Sequence, residues 1–265
     1  MNILERIIIE KRREVELKKV NYPETILRSR DEFLRPCYSI KEALEARNST
    51  GIIAEFKRKS PSKGWIREKA DVSGIVREYS NAGASAISIL TDESFFGGLI
   101  DDLVIARKIL SIPILRKDFI IDEYQVIESK SYGADVILLI AACLTQEEVK
   151  TLAGKAKNIG LEVLLEIHNE AEINHICNGI DIVGVNNRDL KSFEVDINRS
   201  IKLAPLICSG KILISESGLY TTEDVVNLRY HGYKGFLMGE KFMKEEDPGF
   251  ECVDFIAKLK LINED

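Results

Sequence analysis

The chain has no pair of cysteines spaced as CxxC. Its five cysteines, Cys37, Cys143, Cys177, Cys208 and Cys252, are scattered over 265 residues. An odd, dispersed set is the pattern of reduced thiols in a cytoplasmic protein and not of a disulfide framework. Histidine is scarce, with only His168, His175 and His231, and no His/Cys group has the spacing of a structural zinc site, so no metal is expected. Long apolar runs are missing. The N-terminus, MNILERIIIEKRREVELKK, offers nothing longer than Ile7 to Ile9, too short for a signal-peptide core. No stretch approaches the roughly 18 apolar residues of a membrane span. A basic excess is missing as well. The net charge of −6 and pI near 5.4 argue against nucleic acid as a partner, while a local basic pocket for a small anion remains open. With 17 Gly and 6 Pro the chain is neither collagen-like nor of low complexity. Its 45% hydrophobic content is enough to bury a core, which excludes wholesale disorder.

What is present is a rhythm. The first 50 residues read as charged helix, with Ile3, Leu4, Ile7 and Ile8 on one stripe and a further helix starting at Ser39, where Glu42 completes a capping box. From Gly51 onward short apolar runs alternate with amphipathic stretches. The runs are GIIAEFK, SAISIL, IPILRK, DVILLI, LEVLLEI, DIVGVN, KILISES and GFLMG. They are rich in Ile, Val and Leu and mostly lack polar alternation, as strands covered on both faces do. Between them, Val72, Ile75, Val76 and Tyr79 follow helical spacing, as do Val149, Leu152, Ala153 and Ala156. Thr145 with Glu148 forms another capping box, with Leu144 and Val149 as its staple. Gly83, Gly133, Gly160, Gly179 and Gly232 stand where helices should stop before the next run. Eight βα units predict a (β/α)8 TIM barrel with additional N-terminal helices. The expected organisation is a single domain over 1–265, with a helical extension at 1–50 packed on the barrel proper at 51–265. An open doubly wound sheet would carry a glycine-rich turn after its first strand; here that place holds KRKSPSKG.

Barrel active sites lie at the C-terminal ends of the strands, and charges end several runs. A period of two puts Glu55 and Lys57 on one side of the first strand, facing inward if Ile53 does. Lys117 shares parity with Leu115, Glu166 with Leu164, and Glu216 with Ile214. The sixth run ends in Asn186-Asn187-Arg188. Any one of these charges alone is explained by strands ending at solvent. Two lysines and three carboxylates converging on one cavity is a proton-transfer group: a lysine kept protonated by carboxylates acts as a general acid, and a partly desolvated carboxylate acts as a base. His168 reads as a loop residue rather than a catalyst. Trp65 either covers the site or packs on the rim. Ser217-Gly218 and Gly239-Glu240 end the seventh and eighth runs, where barrels often bind phosphate through backbone N–H groups. The Glu240 amide is expected to face the phosphate and its side chain to point away.

The segments AEFKRKSPSKG, LRKDFIID, LLEIHN, VNNRDL, SESGL and FLMGE, in this order, resemble the signature segments of the indole-3-glycerol-phosphate synthase family. The resemblance covers nearly the whole chain. It implies ring closure, decarboxylation and dehydration of 1-(2-carboxyphenylamino)-1-deoxyribulose 5-phosphate to indole-3-glycerol phosphate, in tryptophan biosynthesis. It implies a cytoplasmic, monomeric carboxy-lyase that needs no cofactor and takes a small sugar-phosphate substrate. Residue by residue, it implies Lys117 as general acid and Glu166 as proton-transfer carboxylate, with Glu55 and Lys57 assisting. Asn186 and Glu216 match positions that hold substrate hydroxyls and orient the lysines. Ser60, Phe119, Arg188 and Leu237 match substrate-contacting or mouth positions, and Ser217, Gly218, Gly239 and Glu240 match the phosphate site. Many members carry serine where this chain has Glu240, and the following KFMK departs from their small-residue pattern. A phosphoribosylanthranilate isomerase would need a cysteine at the end of the first strand, where this chain has Lys57. A barrel kept only as an anion binder or scaffold would have no reason to retain the charge set, since unpaired buried charge costs stability. KRKSPSKG is the expected mobile cover.

Overall fold

The computed structural model describes residues 2–190, 192–207 and 210–262; Cys208 lies outside them. All eight apolar runs form strands: β1 (Ile52–Phe56), β2 (Ala86–Leu90), β3 (Ile114–Lys117), β4 (Val136–Ile140), β5 (Glu162–Ile167), β6 (Ile182–Asn186), β7 (Ile212–Glu216) and β8 (Tyr233–Met238). Every neighbouring pair is parallel, and β8 pairs with β1, so the sheet is a closed barrel. The closure excludes the open doubly wound alternative. Residues of one parity point inward, where Ile53, Leu115, Leu164, Ile182 and Ile214 pack among themselves. Residues of the other parity pack against the surrounding helices. A two-residue hairpin, Lys59–Ser60 with Gly64–Trp65, follows β1.

The capping signals hold where both partners are local. Thr145 and Glu148 make the complete box. At Ser39 the structure corrects the expectation. The Ser39 side chain does accept from the Glu42 N–H, but the carboxylate at that helix terminus is Glu162, which accepts from the Ile40 and Lys41 N–H groups at 2.7 and 3.2 Å. A residue of β5 thus caps a helix more than a hundred positions earlier in the chain. Gly83, Gly133, Gly160 and Gly232 adopt the left-handed conformation that helix ends demand. Gly179 does not; it is small for a different reason, since a Cβ there would lie 2.9 Å from that of Ala153.

The N-terminal segment folds into α1 (Ile3–Asn21), α2 (Glu24–Arg28), α3 (Asp31–Leu34) and α4 (Ile40–Glu45). Ile40 and Leu44 of α4 join the inner barrel cluster, so α4 plugs the end of the barrel opposite the charged mouth. Helix α1 runs down the outside of β3 and the helix Glu123–Ser131 that follows it. Val15 packs with Leu27, Tyr124 and Ile127, and the Tyr124 hydroxyl donates to the Tyr22 carbonyl at 2.9 Å. The first turns of α1, carrying Ile3, Leu4 and Ile7, reach the barrel mouth.

Candidate active site

The inward parity of β1, β3, β5 and β7 brings the expected charges together. Lys117 Nζ lies 2.9 Å from Glu166 Oε2 and 2.9 Å from Glu216 Oε2. Lys57 Nζ lies 2.6 Å from Glu55 Oε1. Two glycines make room for this cluster. A Cβ on Gly184 would lie 2.3 Å from Glu216 Oε1, and one on Gly239 would lie 2.5 Å from Glu55 Oε1. Asn186 donates its side-chain N–H to Glu166 Oε1 at 3.1 Å and accepts the Arg188 N–H on its oxygen at 3.0 Å.

The group is short of positive charge. Burial would lower the pKa of Lys117, but Glu166, Glu216 and Glu55 hold it well above the ordinary lysine value, so Lys117 is an ammonium. Burial would raise Glu166, but Lys117 and His168 hold it well below the usual carboxylate range. Glu216 goes the other way. Burial pushes it up, the Glu166 and Glu55 charges add to this against Lys117, and it reaches about 7. Its Oε1 is buried without a hydrogen-bond partner among the described residues. One lysine thus serves two buried carboxyl groups, which share its charge and do not titrate independently.

All fourteen expected site residues line one cavity. Lys117, Glu166, Lys57, Glu55, Asn186 and Glu216 form its floor. Leu237, on β8, and Phe119, whose ring lies 6.0 Å from that of Phe96, line its apolar part. Ser60, in the hairpin, and Arg188, after β6, stand at the mouth. Ser217, Gly218, Gly239 and Glu240 form a further patch of the wall. Ser217 has φ of 66° and Gly218 of 76°. A non-glycine residue such as Ser217 is uncommon in that region, and residues held there cluster at functional sites. The Glu240 side chain is engaged at the rim rather than simply turned away. It pairs with Lys63 at 2.5 Å and Arg188 at 3.3 Å, and accepts from the Tyr220 hydroxyl at 3.2 Å.

Three outcomes sharpen the sequence reading, the first by deciding between its two alternatives for Trp65. Trp65 does not line the cavity. It is half exposed and packs on the rim, under Lys59 and against Gly97. His168 does follow the strand as a loop residue, but it is buried, with Nε2 3.2 Å from Glu166 Oε1. Helix α1 also supplies wall, through Ile3, Leu4 and Ile7. The apolar stripe on α1 was visible in the sequence, but its destination was not. Among the described residues no group of three or more His, Cys, Asp or Glu is arranged to hold a metal ion.

A model of the family described as indole-3-glycerol phosphate synthase matches residues 4–254. The chain belongs to the indole-3-glycerol phosphate synthase family. An indole-3-glycerol phosphate synthase of Bacteroides thetaiotaomicron is 48% identical over 259 residues, 98% of this chain and 99% of that relative. That of Laribacter hongkongensis is 40% identical over 261 residues, 97% and 99% of the two chains. The α subunit of tryptophan synthase from Legionella pneumophila superposes with a TM-score of 0.61 at 14% identity, over 85% of this chain and 98% of that one. That likeness concerns the fold alone. The activity is that of an indole-3-glycerol phosphate synthase, a carboxy-lyase of tryptophan biosynthesis. It converts 1-(2-carboxyphenylamino)-1-deoxyribulose 5-phosphate to indole-3-glycerol phosphate. No helix among the described residues is long and apolar enough to cross a membrane.

Proposed function

We propose that Lys117 is the general acid of this reaction and Glu166 the carboxylate that moves protons opposite it. The observation that carries the reading is the Lys117 ammonium, 2.9 Å from each of two buried carboxyl groups. Ring closure makes an aromatic carbon attack a ketone, and negative charge grows on the ketone oxygen. An ammonium held by fixed carboxylates supplies the proton without reorganising. Glu55 holds Lys57 as a second cation beside it, and the two assist dehydration. Asn186 and Glu216 hold substrate hydroxyls, the buried and unpartnered Glu216 Oε1 being an acceptor or, once protonated, a donor.

Phe119 and Leu237 seat the aromatic ring, and Ser60 contacts the substrate from the hairpin. The amides of Ser217, Gly218, Gly239 and Glu240 take the phosphate, with Arg188 at the mouth supplying positive charge. Glu240 occupies Arg188 and Lys63 in the structure described here, and the phosphate competes with it for them. The chain works as a single domain over 1–265, the extension at 1–50 serving the barrel at 51–265. It works as a cytoplasmic monomer. Purified protein mixed with the carboxyphenylamino sugar phosphate should develop indole fluorescence. Glu166→Gln should lower kcat about 100-fold with KM within about threefold, because its interaction is made in the transition state. A change confined to KM would remove Glu166 from this role.

A further inference from the structure

The two oxygens of Glu166 face different partners. Oε2 faces Lys117. Oε1 accepts from Asn186 and has His168 Nε2 3.2 Å away. On the far side of the imidazole, Nδ1 lies 3.3 Å from Glu172 Oε2. Glu172 is fixed in turn, accepting the His168 backbone N–H and the Asn169 side-chain amide at 2.7 Å each. The ring therefore stands between one carboxylate inside the barrel and one at its rim. Its Nε2 is buried and within ion-pair range of Glu166, yet out of hydrogen-bond alignment and without any other hydrogen-bond partner among the described residues.

The charged and titratable groups around it are Glu166 on β5, Glu172 on the turn Glu170–His175, Lys117 on β3 beyond Glu166, and Cys143 on the turn after β4, which feels both carboxylates. Burial would lower the pKa of the imidazole, but Glu166 and Glu172 push it up to about 9. At neutral pH it is an imidazolium holding one proton beside Glu166.

The reaction needs such a proton. The aryl carbon bonds to the ketone carbon, and the oxygen takes up one proton. The bond to the carboxylate then breaks, its electron pair returns to the ring, and neutral carbon dioxide leaves. The new hydroxyl leaves as water with a second proton, while the carbon beside nitrogen releases one. Each turnover thus consumes one proton net.

We propose that His168 is the proton reservoir of the site, passing its Nε2–H to Glu166 Oε1 once Lys117 has given its own proton to the substrate and a small rotation of the ring brings the 3.2 Å contact into line. Once product leaves, water entering the vacated cavity carries a proton from bulk solvent to Glu166, its conjugate base staying in the bulk, and Glu166 returns that proton to the imidazole. The proposal rests on Glu166 as the proton-transfer carboxylate, and His168 acts only through it. The test follows a single turnover by indole fluorescence from about pH 6 to about pH 10 in the parent, His168→Gln and Glu166→Gln. Glutamine keeps hydrogen-bonding capacity but stores no proton. His168→Gln should slow the single turnover about tenfold with substrate affinity within about twofold. Added imidazole buffer should restore part of the rate, and the parent's fall near pH 9 should be absent. His168→Asn takes its place, with the same readouts, if the glutamine variant does not fold. A parental single-turnover rate for the His168 variant, without buffer dependence, overturns the reservoir while an inactive Glu166→Gln keeps the role of Glu166. A parental rate for Glu166→Gln overturns both.

Discussion

Strand β3 carries two charge clusters back to back, built for opposite ends. Lys117 points inward to the mouth, while its neighbours Arg116 and Asp118 point outward, as a period of two requires. Outside, the ions close a ring. Lys11 meets Asp118 at 2.9 Å, Asp118 meets Arg116 at 3.0 Å, and Arg116 meets Glu128 at 2.7 Å. Glu128 meets Lys18 at 3.2 Å, Lys18 meets Glu14 at 2.7 Å, and Glu14 returns to Lys11 at 2.7 Å. Every ion stands between two of opposite sign, and the ring binds α1 to β3 and the helix behind it. Inside, one lysine serves two carboxyl groups, and a buried Glu216 oxygen has no hydrogen-bond partner among the described residues; in the ring Glu128 Oε2 also lacks an aligned hydrogen bond, but it lies 2.7 Å from the Arg116 guanidinium. A closed ring has nothing left to offer a ligand. An unbalanced group does, and that difference separates structural charge from chemical charge more clearly than burial does.

Replacing the cation in each cluster should break the two in different currencies. Lys117→Ala should lower kcat by about 1,000-fold or more, with denaturant stability within about 2 kcal/mol of the parent, because Glu166 and Glu216 line the cavity, where water can take the place of the lost ammonium; near-normal turnover would remove Lys117 from its role. Lys11→Met should instead cost about 3–5 kcal/mol in urea unfolding, because it leaves Asp92 and Asp118 buried with less compensation. The same variant sharpens the comparison through pH. Burial would raise the Asp118 pKa, yet Lys11 and Arg116 hold it well below the usual carboxylate range. Its contribution is therefore present at neutral pH and lost as pH falls below that range. Without Lys11 the Asp118 pKa rises, and acid unfolding should begin at higher pH.

Gly184→Ala tests the inner cluster by crowding. Its Cβ would meet Glu216 Oε1, so kcat should fall about tenfold at a stability cost of about 1–3 kcal/mol. Thr145→Ala should be mildest, losing about 1 kcal/mol with turnover unchanged, since the hydrogen bonds of that capping box are local and exposed and reach neither cluster.

The barrel was legible because its strands are covered on both faces and so read as unbroken apolar runs. The parity of Glu55, Lys117, Glu166 and Glu216 was legible because the residue two positions earlier in each strand is apolar and inward, and Lys57 follows Glu55 at the same spacing. Other features depend on contacts across long separations. Helices α2 and α3 have five and four residues, too short to show a period, and their contact with the helix Glu123–Ser131 holds them. The cap that Glu162 supplies to α4 has no local spacing at all. His168 did carry a usable signal. It stands two residues after Glu166, on the same face if the strand's alternation runs on past Ile167.

The most direct measurement is a cross of Lys117→Met and Lys11→Met, each scored for single-turnover indole formation and for its urea midpoint. The expected result is a crossover, with turnover lost and the midpoint nearly kept in the first, and the midpoint lowered by far more in the second. Equal loss of both quantities in both variants would contradict the separation of a chemical cluster from a structural one.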